Sequence, residues 1–253
     1  MTSIHPTALV DPSAELADDV VVGPYTTIEA GVRVGAGSRI GGYATLGCGL
    51  TLGREVQVFN YACLGTASQD RKHTGEPSRA EIGDRTVVRE FVTVNRATRP
   101  DGVTRIGSDC LLMAYAHVAH ECVIGDGVVL VNAVTVGGEV TIEDEVNLGG
   151  HACIHQYCRV GRNSIVGANS KVTQDIPPYL LADGHPARPY GPNVVGLRRK
   201  GFTEGEILEI RRIYRELFAR GRRLSEALAI IERDFEGERA RRIADFCRSS
   251  ERG

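Results

Sequence analysis

Aliphatic residues recur along this chain every six positions. Stepping by six from Ile4 meets Val10, Leu16, Val22, Ile28, Val34, Ile40, Leu46, Leu52, Val58 and Leu64. The register is lost at Asp70 and Glu76, returns at Ile82, Val88 and Val94, is lost again at Pro100, and then holds from Ile106 to Val172. Of these 29 positions, 26 are Ile, Leu or Val, against about a quarter expected from average composition. A helix repeats its apolar residues at ~3.6 and a half-buried strand at ~2, so neither explains the period. Short strands joined by tight turns do: three strands make a coil of eighteen residues, and coils stack at ~4.8 Å. Residues 4–172 then form a little over nine coils, a prism ~45 Å tall. Glycine often follows the aliphatic residue, as at Gly23, Gly41, Gly107 and Gly125. This phase predicts either turns of positive φ or close approach between neighbouring backbones.

The interruptions divide the chain further. Residues 66–81 and 96–105 read as loops extruded from the prism, the first of them polar from Gly65 to Arg79; such loops often carry binding groups. Beyond Val172 the segments 175–179 and 184–189 are rich in Pro and Gly and read as a linker. Thr203 and Glu206 then have the spacing of a capping box, followed by apolar residues at helical spacing from Ile207 to Phe218. Further helices are expected near 224–235 and 238–248. The expected organisation is mainly β, with a β-helix over 1–190 and a small α-helical domain over 191–253.

Composition agrees with a thin aliphatic interior: the chain has 30 Gly, no Trp and only 6% aromatic residues. A net charge of −2 hides an asymmetry, because residues 194–253 hold 15 Lys and Arg against 11 Asp and Glu, leaving a net acidic body. The basic tail suits either a solvated helix surface or an acidic protein partner. Nucleic acid fits poorly, given the acidic body and the lack of a stacking platform. The seven cysteines (48, 63, 110, 122, 153, 158, 247) contain no C-x-x-C pair and read as reduced thiols of a cytoplasmic protein. No apolar run approaches the ~20 residues of a membrane span, so no stable membrane insertion is expected.

An eighteen-residue coil is also a ruler: residues eighteen apart lie above one another. His120, Gly138 and Gln156 form such a column, and His117, His151 and His155 fall in the same stretch. A histidine, a small residue's N–H and an amide at ~5 Å steps suit a general base, an oxyanion donor and a substrate-orienting group. A lone surface histidine is ordinarily decoration, and neighbouring histidines can also hold a metal, as in β-helical carbonic anhydrases. Against metal, no two of these histidines share a column.

The repeat resembles that of the hexapeptide-repeat acyltransferases, which implies a left-handed parallel β-helix and a homotrimer. The segment Leu111-Leu112-Met113 with Ala116-His117-Val118-Ala119-His120-Glu121-Cys122 is similar to the UDP-N-acetylglucosamine acyltransferase family, which opens lipid A biosynthesis. Gln69-Asp70-Arg71-Lys72, Ile154-His155-Gln156-Tyr157, Gln174 to Tyr179 and Asn193 to Phe202 resemble further segments, so the likeness spans nearly the whole chain. It implies direct transfer of a (3-hydroxy)acyl chain from acyl carrier protein to the glucosamine 3-hydroxyl of UDP-N-acetylglucosamine, with no cofactor and no metal. By the same resemblance His120 is the base, Glu121 its orienting acid and Gly138 N–H the oxyanion donor. Asp70 and Lys72, beside Gln69, would contact the sugar nucleotide together with His117, His155 and Gln156. Asn193 and Arg199 would reach its diphosphate end, and Ala168 would lie where acyl length is limited.

Three positions depart from the family pattern. Glu139 stands in place of a sugar-contacting His, Asn95 in place of another His, and Val195 in place of a carboxylate. Glu139 raises the alternative of a 3-amino acceptor and an amide product. A metalloenzyme and a purely structural β-helix are the alternatives from other classes.

Overall fold

The computed structural model describes residues 1–253. Residues 3–192 wind into a three-sided parallel β-helix whose faces hold eleven, nine and eight strands. The first face runs from Ser3–Ile4 to Ala187–Pro192, the second from Leu9–Val10 to Lys171–Val172, and the third from Glu15–Leu16 to Arg159–Val160. Strands pair with a step of eighteen, as in His117 with Thr135 and Thr135 with Cys153. At the insertions the step lengthens: Leu50 pairs with Ala80, and Arg79 with Val103. The two loops are therefore pushed outward while the coil closes beneath them.

The aliphatic register fills the interior, with Val118, Val136, Ile154 and Val172 stacked and almost fully buried on the second face. A second inward position, two residues earlier, takes small side chains. Where these are polar, they bond to backbone: Thr26 Oγ1 donates to Gly41 O at 2.7 Å and Ser38 Oγ to Gly53 O at 3.0 Å. Cys110, Cys122 and Cys158 occupy the same phase, and Cys122 Sγ donates to Gly137 O at 3.0 Å. Burial raises their thiol pKa values to about 11, about 12 and about 11, so they are packing groups and poor nucleophiles.

The phased glycines serve close approach. A Cβ on Gly23 would lie 2.7 Å from Gly42 N, and one on Gly125 2.7 Å from Asp144 N. Positive φ falls two residues later and is carried mostly by non-glycine residues, among them Tyr25 (56°), Tyr43 (58°), Glu121 (53°) and Glu139 (59°), with glycine there at Gly31, Gly37, Gly49 and Gly127. The rings excluded from the interior appear here. Tyr25, Tyr43, Tyr61, Phe91 and Tyr115 stack along the corner between the first and second faces, with centroids 4.8–5.1 Å apart.

Neither stretch expected as a linker is one: 175–179 continues the last coil, with Ile176 bridged to Val160, and 184–189 lies in a hairpin, Leu180–Gly184 with Ala187–Pro192, which extends the first face. Its prolines are tolerated because Ala187–Pro192 is the edge strand, where a missing N–H breaks no ladder. Four helices follow: α1 (Val194–Arg199), α2 (Glu204–Leu217), α3 (Leu224–Asp234) and α4 (Glu238–Arg248). The capping box forms, with Thr203 N–H donating to Glu206 Oε2 at 2.7 Å. The short α1 lies where no helix was expected. A second apolar cluster around Ile210, Ile213, Ile231 and Ile243 holds the helices together. Arg159 ties them to the prism, donating to Asp175 Oδ2 at 2.9 Å and to Phe246 O at 2.7 Å. No helix is long and apolar enough to cross a membrane.

Candidate active site

Both insertions leave the prism at one corner, between the second and third faces, in successive coils. The next coil places His120 and Glu121 at that corner, and the one after it Gly138 and Glu139. The loops are bonded to one another before they reach the histidine. Ser68 Oγ and Thr98 Oγ1 share a hydrogen bond of 2.6 Å, and Asn95 Nδ2 donates to Ala67 O at 3.0 Å. Asn95 thus secures the loop bases and is buried beneath them.

His120 lies between two carboxylates. Its Nδ1 is 2.5 Å from Glu121 Oε2, and its Nε2 is 3.7 Å from Asp70 Oδ2. The other Glu121 oxygen accepts from the N–H groups of Thr98, at 2.7 Å, and Arg99, at 2.8 Å. Four anchors therefore fix the imidazole's partner: these two N–H groups, the imidazole itself, and Thr104 Oγ1, which accepts the Glu121 N–H at 2.9 Å. Asp70 is held by its own loop, accepting at Oδ1 from Lys72 N–H at 2.9 Å. His117 sits three residues earlier, in the strand that leads to this corner, half-buried, its Nδ1 hydrogen-bonded to Thr93 Oγ1 at 2.7 Å. Burial, reinforced by the nearby His120, lowers its pKa and keeps it neutral.

Gly138 is buried against the ring of His120, and a Cβ built there would overlap Cε1 and Nε2. Some N–H groups at the same phase donate to a side chain one coil on, as Ser108 does to Asp126 and Asp126 to Asp144, and others, such as those of Asn132 and Gly150, have no partner in the chain. The Gly138 N–H makes no hydrogen bond within the chain. Its Cα packs against the imidazole, which puts an uncommitted backbone donor beside the histidine.

The remaining expected site residues separate into groups. Gln156 and His155 are exposed on the same corner, and His155 Nδ1 lies 3.2 Å from Arg252 Nη1. Gln69 and Lys72 are exposed on the first loop. Ala168 and His151 lie on the corner between the first and second faces. Of the four histidines suggested by sequence proximity, His117, His120 and His155 thus share one side of the prism, with His155 two coils beyond His120, and His151 lies on another corner. No three His, Cys, Asp or Glu side chains converge as a metal-binding group. Asn193 caps α1, accepting from Gly196 N–H at 3.1 Å, and donates to Asn163 O at 2.9 Å near the third corner. Arg199 is exposed on α1. One chain therefore distributes the expected residues over three corners.

Sequence reasoning missed Arg99. Its guanidinium forms an ion pair with Glu139, so the carboxylate considered as a partner for a substrate amine is already matched. Only the length of the second loop hinted that one of its side chains reaches two coils on.

A prism of hexads with a histidine–carboxylate pair beside an uncommitted N–H is the arrangement of a hexapeptide-repeat acyltransferase. Residues 13–48 and 104–138 match the bacterial transferase hexapeptide family, and residues 175–253 match the second domain of UDP-N-acetylglucosamine O-acyltransferase. An acyl-[acyl-carrier-protein]–UDP-N-acetylglucosamine O-acyltransferase of Thiobacillus denitrificans is 43% identical over 100% of this chain and 99% of its own length. Among solved structures, LpxA of Acinetobacter baumannii superposes with a TM-score of 0.96 at 37% identity, covering 99% of this chain and 98% of that one. LpxA of Bacteroides fragilis, a UDP-N-acetylglucosamine acyltransferase, gives 0.96 at 36% with the same coverage. The chain belongs to the acyl-[acyl-carrier-protein]–UDP-N-acetylglucosamine O-acyltransferase family, and its prism is a left-handed parallel β-helix.

Proposed function

We propose that this chain transfers a (3-hydroxy)acyl group from acyl carrier protein to the 3-hydroxyl of UDP-N-acetylglucosamine, the first step of lipid A biosynthesis. The observation that carries the mechanism is the uncommitted Gly138 N–H packed against a histidine whose far nitrogen is held by Glu121. Glu121 accepts from Nδ1–H, which leaves Nε2 as the basic nitrogen on the side of Asp70. The sugar hydroxyl gives its proton to Nε2 as its oxygen attacks the thioester carbonyl carbon. The carbonyl oxygen becomes an oxyanion and accepts from Gly138 N–H. Collapse breaks the carbon–sulfur bond, and the proton returns from His120 to the departing thiolate. Glu121 stabilises the transient imidazolium. Asp70, with Gln69, Lys72 and the neutral His117, contacts the sugar.

The neutralised Glu139 favours the hydroxyl acceptor over the amine. The three-corner distribution of Ala168, His120 and Asn193 fits a homotrimer, in which a neighbour's corners complete each site. Asn193, Arg199, His155 and Gln156 bind the nucleotide in that assembly. The prism of residues 1–190 carries the chemistry, and the helices of 191–253 receive the acidic carrier. Arg211, Arg212 and Arg215 are exposed on α2 and make no ion pair in the chain, which leaves them available to it. The enzyme acts in the cytoplasm, where its donor is made.

The test is to incubate the protein with 3-hydroxyacyl carrier protein and UDP-N-acetylglucosamine. Formation of the 3-O-acyl nucleotide with release of free carrier thiol is expected. Thioester hydrolysis alone, or no turnover with carriers of any chain length, would overturn the proposal.

A further inference from the structure

Arg99 connects the second loop to two consecutive coils. Its main-chain N–H donates to Glu121 Oε1 at 2.8 Å, while its side chain pairs with Glu139 Oε2. Glu121 and Glu139 occupy the same place one coil apart, both with left-handed backbone, at φ 53° and 59°. Glu139 follows Gly138 directly, and its N–H donates to His120 O at 2.9 Å. Its carboxylate is mostly sheltered, with 24% of the side chain exposed, whereas Arg99 is 66% exposed. Without Arg99, a negative charge would stand beside the groups that handle the acceptor's reacting atom, and it would attract an ammonium group there.

We infer that Arg99 determines acceptor selectivity: by cancelling the charge of Glu139 it removes the attraction for a 3-ammonium sugar and leaves the site suited to a 3-hydroxyl. The inference rests on the acyl-transfer reading above. The two functions of Arg99 are separable, because Arg99→Ala keeps the main-chain N–H that holds Glu121 and deletes only the guanidinium.

The experiment compares KM for UDP-N-acetylglucosamine and its 3-amino analogue in the wild type, Arg99→Ala, Arg99→Lys, Glu139→Gln and the double variant Arg99→Ala/Glu139→Gln. Arg99→Ala is expected to shift the KM ratio toward the amino sugar by roughly threefold to fivefold, the scale of one exposed ion pair. Arg99→Lys and the double variant are expected to keep the wild-type ratio. Glu139→Gln, which removes the charge by the other route, should not move toward the amine. An unchanged ratio in Arg99→Ala, or an equal shift in Glu139→Gln, would overturn the inference. If Arg99→Ala fails to fold, a shift in Arg99→Gln serves the same purpose. A wild type that acylates neither sugar would overturn the underlying reading instead.

Discussion

Gly138 lies so close to His120 that a single methyl group on its Cα would occupy the space of the imidazole. Its φ is outside the left-handed region, so alanine costs nothing in backbone strain there. The whole penalty falls on the histidine. Gly138→Ala is expected to lower kcat by ~10² or more, as the base and the oxyanion donor separate, while the melting temperature changes little. Steady-state kinetics beside a thermal melt check this.

Glu121 has a second duty besides His120. Truncation to alanine leaves the N–H groups of Thr98 and Arg99 without their acceptor, a loss of about 1–3 kcal/mol for a buried donor. Glu121→Ala is therefore expected to lower the unfolding midpoint and to accelerate amide exchange at residues 98 and 99. Glu121→Gln keeps an acceptor oxygen and should retain much of the stability while losing activity.

His117 gives a pH dependence with a definite sign. Its pKa is lowered in the folded chain by burial, so between that value and the ordinary ~6.5 the unfolded chain binds more protons. Its contribution is present in full above ~6.5 and is lost as pH falls through the folded value. Urea midpoints measured from pH 7.5 downward should fall more steeply in the wild type than in His117→Gln.

The helical tail presents charge without partners at Arg211, Arg212 and Arg215. Reversal of any of them to glutamate is expected to raise KM for the acyl carrier and leave KM for the sugar nucleotide unchanged. The effect should shrink as salt is raised, since exposed charges are screened within ~10 Å at 0.1 M.

The period of six told most of what the prism is, because every coil repeats the same steric demand: an aliphatic residue inside and a close-approaching glycine after it. The same ruler placed His120 under Gly138. The ruler also separates residues that are near in sequence, because each hexad belongs to a different face. His151 and His155 are four residues apart yet lie on different corners. Arg99 was hidden, since its reach depends on how a loop outside the repeat folds over the next two coils. The hairpin 180–192 was masked by its prolines, which signal a break everywhere except at a sheet edge. Of the two uses expected for the phased glycines, close approach is the one they serve, and positive φ falls two residues later on tyrosine, glutamate and asparagine as well as on Gly31, Gly37, Gly49 and Gly127. The stacked coils over-determine these turns and absorb a cost of about 1–2 kcal/mol for each non-glycine residue.

The central claim is that His120 moves the proton. The most direct measurement is the single-turnover rate of acyl transfer by His120→Ala, with saturating donor and UDP-N-acetylglucosamine and with folding verified by circular dichroism. A loss of ~10² to 10⁴ in rate with an intact β-helix is predicted. A folded His120→Ala protein that transfers the acyl group at the wild-type rate would contradict it.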